Sequence, residues 1–158
     1  MTKGERISQF VGELEGAAPA GDEGEIAQHP CYRGFFRCWN EQRYYEAHDV
    51  LEHLWLKTNS DDAAYFKGLI QAAGAFVHLQ KQFEHPTHPK HGRRLGPAVR
   101  LFHLAEKNLS AFRPRRHSLD VAGLVALLRR NADAIEQSEF TRNPWSPHSA
   151  PTLTLLSR

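Results

Sequence analysis

The sequence has no apolar run near the ~20 residues that cross a bilayer, and Met1 is not followed by the apolar stretch of a secretory signal. Cysteine is scarce: Cys31 and Cys38, seven apart, fit no zinc or redox spacing. The chain therefore reads as soluble, cytoplasmic, thiol-containing and not membrane-bound. A Gly-x-x-x-x-Gly-Lys-Ser/Thr phosphate loop, a Gly-x-Ser-x-Gly elbow and a dinucleotide fingerprint are all missing. His117 and Ser118 are neighbours at a helix start rather than a catalytic pair. These absences argue against a nucleotide enzyme or a serine hydrolase. No run alternates with period two over a strand's length, so nothing calls for a sheet.

What is present fits one globular domain. The 158 residues, 41% hydrophobic and 24% charged, exclude wholesale disorder. A chain of this length buries ~two-thirds of its unfolded surface and needs no metal or disulfide staple to fold. Its net charge of +2 hides an asymmetry. Residues 1–80 carry 7 Lys/Arg against 12 Asp/Glu, residues 81–117 carry 9 against 2, and residues 118–158 carry 4 of each. The acidic and basic stretches can complement each other within the fold or across a homo-oligomer. The basic block, from Lys81 through Arg93, Arg94, Arg100 and Lys107 to Arg116, could instead meet an anionic ligand. No aromatic interleaves Arg113-Pro-Arg-Arg116 as a stacking platform would require, which argues against nucleic acid.

Periodicity predicts an all-α, single-domain bundle of about five helices with an extended C-terminal tail. Residues 1–29 read as a short helix (4–14) and a Gly/Ala/Pro linker (16–24), residues 30–140 as the bundle and residues 141–158 as the tail. Tyr32, Phe35, Phe36 and Trp39 predict a helix over 30–39. Asn40 would cap a second over 41–57, and Asp61-Asp62 open a third running to 83. The prolines of Glu84-His-Pro-Thr-His-Pro-Lys-His-Gly92 impose a loop. In it His85, His88 and His91 recur every third residue, a spacing that reads as a solvated loop or, less simply, a metal trap. Further helices follow over 94–112 and, capped by Asp120, over 121–137. Trp145, Leu153 and Leu155 would lay the tail on the bundle.

Two helices carry unusual chemistry. From Glu46 to His53, five ionisable groups occupy eight residues. Ala47, Val50, Leu51 and Leu54 define a core arc, Glu46, Asp49 and His53 lie opposite, and His48 and Glu52 stack one turn apart on a flank. The next helix places Gly68, Gln71, Ala75 and His78 on one stripe with Gly74 alongside. Two helical glycines cost about 1 kcal/mol each, a cost that close approach of a helix or ligand would offset. If the two helices pack antiparallel, His48, Glu52, Gln71 and His78 converge.

The run Tyr44-Tyr-Glu-Ala-His-Asp-Val-Leu-Glu-His-Leu-Trp55, with Gly68-Leu-Ile-Gln71 and His78 after it, resembles the bacterial, archaeal and plant family known as domain of unknown function 309. Its signatures read Tyr-x-Glu-Ala-His-Glu-x-Leu-Glu-x-x-Trp and Gln-Gly-Leu-Ile-Gln. The resemblance extends over roughly residues 32–112 and implies a small helical bundle, with no reaction attached. Glu46, His48, Glu52, Trp55, Gly68, Gln71 and His78 match its recurrent positions. The chain departs at Asp49, where the family has Glu, and at Lys67, where it has Gln.

Three functional readings follow. The first is a buried His/Glu/Gln polar network that registers two helices and makes the protein a structural or interaction scaffold. The second is a small-ligand or divalent-metal site, hydrolytic if catalytic, with His48, Glu52 and His78 as ligands and an open fourth position. The candidate polar cluster is then Glu46, His48, Asp49, Glu52, Gln71 and His78. The third is an anion site in the basic block 81–117.

Overall fold

The computed structural model describes residues 25–156; the helix and linker expected over 4–24 lie outside the described residues. Five α-helices follow in order: α1 (Pro30–Asn40), α2 (Tyr44–Leu56), α3 (Asp62–Glu84), α4 (Leu95–Ser110) and α5 (Val121–Gln137). Each packs chiefly on its neighbour in sequence, which makes the all-α, single-domain bundle that the periodicity predicts. No helix among the described residues is long and apolar enough to cross a membrane.

Local chemistry sets the boundaries. Pro30 opens α1, and the His29 ring caps it by accepting from the Cys31 N–H at 3.1 Å. Asn40 does not cap the second helix as its place before Glu41 suggests. It ends α1, the chain turns through Gln42 at φ 61°, and α2 begins at Tyr44. Asp120 does cap α5, accepting from the Gly123 N–H at 2.9 Å. Between α4 and α5 the chain makes a two-stranded hairpin, Arg115–Arg116 (β1) against Leu119–Asp120 (β2), turning through His117 and Ser118 at positive φ. Two residues per strand are too few to leave a period-two signature.

The core is aromatic. Trp39 meets Phe76 edge-on at 4.9 Å and Tyr44 at 5.4 Å, and Tyr32 lies against Phe36 and Phe66. Cys31 and Cys38 are buried thiols, and burial pushes the Cys38 thiol up to about 11, so it packs rather than reacts. Past Asn143 the tail crosses the bundle as expected. Trp145 is buried and Leu153 and Leu155 pack on the core. The tail is also hydrogen-bonded: Asn143 donates to Leu79 O, Trp145 Nε1 to Tyr44 Oη at 3.0 Å, Trp39 Nε1 to Pro151 O, and Asn40 exchanges bonds with Leu153 N and O.

Candidate functional site

Helix α2 buries Tyr44, Ala47, Val50 and Leu51. The remaining arc faces outward, and on its flank three polar side chains lean together. His48 Nδ1 lies 2.8 Å from Asp49 Oδ1 and 3.7 Å from Glu52 Oε2. One ligand atom from each of the three residues lies within 4.8 Å of the other two. The Tyr45 ring stacks on His48 at 6.4 Å and limits the directions the imidazole can take. Glu46, one turn back, is half-buried and outside the group; its charge acts on Arg43 and Cys38.

The network is not buried. The His48, Asp49 and Glu52 side chains are 36, 23 and 41% exposed, and no polar or charged residue among the described residues is fully buried. The physical reason lies on α3. Its polar stripe turns toward α4 instead of α2. A Cβ on Gly68 would sit 2.7 Å from Leu109 Cγ, one on Gly74 3.1 Å from Leu101 Cδ1, and Gln71 Oε1 accepts from Asn108 at 2.7 Å. The helical glycines thus serve a close helix–helix approach. With α3's polar groups spent on α4, the α2 trio stays at the rim, where carboxylates keep their hydration.

His78 follows the same stripe. Its Nδ1 meets Arg94 Nη1 at 3.1 Å, at the start of α4, and it does not belong to the His48 group. Burial, then the charges of Arg94, Lys81 and Arg100, lowers its pKa to about 4. The sequence-predicted set therefore divides: His48, Asp49 and Glu52 meet on α2, while Gln71 and His78 pair with α4. Asn108 escaped sequence reasoning, although a polar residue beside Leu109 in an apolar stripe was a readable signal; Arg94 was read as part of the basic block but not as the partner of His78.

A second network ties the start of α3 to the hairpin. Asp62 Oδ1 accepts from Arg116 Nη2 and His117 Nε2, each at 2.8 Å, with Asp61 near the same guanidinium. Burial alone would raise the Asp62 pKa; the bonds from His117 and Arg116 outweigh it and hold the carboxyl below its usual range. Behind it the Tyr32 and Tyr65 hydroxyls lie 2.7 Å apart: one donates to the other, and the second donates to a hairpin carbonyl, His117 O from Tyr32 or Arg116 O from Tyr65. Here the acidic first half and the basic block compensate each other inside one molecule.

Residues 32–86 match the family model described as Domain of unknown function (DUF309). Over this stretch, about a third of the chain, the protein is similar to DUF309. Both signature helices, α2 and α3, fall within the match, and so does the whole of the His48 group. The DUF309 match stops short of α4, so Arg94 and Asn108 stand outside it. No curated protein and no solved structure matches the chain.

Proposed function

We propose that α2 makes this protein a divalent-cation-binding module, with His48, Asp49 and Glu52 as its ligands. The observation that supports this reading is the mutual approach of one imidazole and two carboxylates, all on one turn of one helix. With the ring neutral, the trio carries two negative charges and one nitrogen lone pair on a flank that solvent reaches. A cation suits that combination. It would take one oxygen from each carboxylate and, in exchange for the proton that Nδ1 donates to Asp49 Oδ1, the imidazole Nδ1, each at about 2.0–2.2 Å. Mixed nitrogen and oxygen donors favour zinc, manganese, iron or nickel over calcium or magnesium. Three protein donors leave the rest of the shell to water or a substrate, as in catalytic sites. His78, held by Arg94, drops out of the ligand set, and Asp49, despite its shorter side chain, takes its place as the acid nearest the imidazole.

Calorimetric titration of the full chain with manganese(II) tests this. One ion per chain is expected, with affinity at least tenfold weaker in each of His48→Ala, Asp49→Asn and Glu52→Gln. Because all three residues are partly exposed, the variants should fold. The absence of saturable binding, or binding that none of the three substitutions weakens, would reject the reading.

A further inference from the structure

The junction of α3 and α4 holds a guanidinium that finds, among the described residues, neither a counter-ion nor a full set of acceptors. Arg94 is half-buried. Its backbone N–H is fixed by Gln82 Oε1 at 2.7 Å, its Nη1 faces His78 Nδ1 at 3.1 Å, and its Nη2 faces His91 Nδ1 at 2.6 Å. Its Nε is shut off from water and bonds to nothing. No carboxylate among the described residues forms an ion pair with it, whereas Arg116 and Arg129 each have one. The charges acting on the two flanking imidazoles are all positive: Arg94, Lys81 and Arg100 on His78, and Arg94, His88, Lys81 and His85 on His91.

The imidazoles have a fixed sense. A guanidinium only donates, so the ring nitrogens facing Arg94 accept, and any proton on His78 or His91 sits on Nε2. His88 is set the same way, because its Nδ1 accepts from the backbone N–H groups of Lys90 and His91, each at 3.0 Å. Its ring stacks on His91 with centroids 4.6 Å apart, and His85 lies 5.7 Å from His91. The loop holds this shape through tight backbone contact: Gly92 N–H donates to His88 O, and a Cβ at Gly92 would fall 2.4 Å from Pro86 O. Three histidines this close look like a metal trap by spacing alone. In His88 and His91, though, Nδ1 is spent on accepting, so Nε2 carries the proton instead of the lone pair a metal would need. Such rings offer N–H donors.

We propose that Arg94, with His78, His88 and His91 around it, binds a compact oxyanion, a phosphate group on a small molecule. A half-buried guanidinium held by acceptor rings, with no carboxylate among the described residues to neutralise it, matches a phosphoryl group in charge, and its N–H groups that face no imidazole match it in hydrogen-bond sense. The unneutralised charge sits on one guanidinium rather than tracking along a groove, so the ligand is a small anion and not a polynucleotide. This site is independent of the α2 cation site and lies largely beyond the DUF309 match.

The test titrates the full chain with inorganic phosphate at constant ionic strength, balanced with chloride, and follows both binding heat and melting temperature. Phosphate is expected to bind and to raise the melting temperature where chloride does not, with affinity at least tenfold weaker in Arg94→Gln. His91→Ala, on an exposed loop, should stay folded and weaken binding at least threefold, which keeps the result readable if Arg94→Gln unfolds. Equal effects of phosphate and chloride, or affinity unchanged in His91→Ala, would overturn the proposal. So would tight zinc binding lost in His88→Ala, or oligonucleotide binding that phosphate fails to displace.

Discussion

At the scale of single residues, His78 and Asp62 shape how the protein responds to acid. His78 titrates at about 4 in the folded chain against an ordinary 6.5. Between those values the unfolded chain takes up a proton that the folded chain refuses, so stability is complete above pH 6.5 and falls as pH drops toward 4. After allowance for solvent screening at a partly exposed ring, His78 accounts for about 1–2 kcal/mol of that fall. Asp62 acts lower. Its folded pKa lies below the ordinary 3.8, so its contribution is present above that value and is lost as pH falls through the folded one. Urea unfolding measured from pH 8 to pH 3 should show both steps. His78→Gln should flatten the upper step and leave the lower, whereas an unchanged upper step would mean that His78 is not held neutral by Arg94 and burial. Sequence alone singled out His78 as unusual but gave it the wrong surroundings, because nothing in α3 says which neighbouring helix its polar stripe will meet.

Among the elements, the α3–α4 seam decides the layout. Gly68 and Gly74 are one and a half turns apart, yet they should respond differently to alanine. At Gly68 the new Cβ would meet Leu109 Cγ at 2.7 Å and Asn108 Cβ at 3.2 Å, so α4 itself must move. Overpacking of about 1–3 kcal/mol should outweigh the roughly 1 kcal/mol gained in helix propensity. At Gly74 the Cβ would meet, within 4 Å and among the described residues, just the end of the Leu101 side chain at 3.1 Å, which can rotate away. Thermal unfolding should therefore place Gly68→Ala below the wild type and Gly74→Ala at or above it; the reverse order would contradict the packing. The helices themselves were legible from apolar spacing, as were the Asp120 cap and the prolines that force the 84–92 loop. The turn at Gln42 and the hairpin at His117 were not, since positive φ at non-glycine residues and two-residue strands leave no periodic trace.

At the level of the whole molecule, the tail is a clasp. It joins the end of α1 through Asn40 and Trp39, the start of α2 through Tyr44, and the last turns of α3 through Leu79, while Leu156 N–H reaches Ser118 O at the hairpin. Trp145→Phe removes the donor to Tyr44 Oη and should lower stability by about 1 kcal/mol. Trp145→Ala also empties a buried site and should cost about 3–5 kcal/mol. Denaturant titration checks both, and equal losses would mean that the ring's volume does not support the clasp. The tail's apolar anchors could be read from sequence, but its polar ones could not, because Asn40 and Asn143 look like ordinary turn residues until the chain folds back on them.

The cation site on α2 is the central claim, and paramagnetic broadening of backbone amide signals by substoichiometric manganese(II) tests it most directly, because it reports where the ion sits. Signals from Tyr45 through Leu56 should broaden first, and His48→Ala should abolish the effect. Broadening centred on the His85–His91 loop, or spread evenly over the exposed acids, would contradict it.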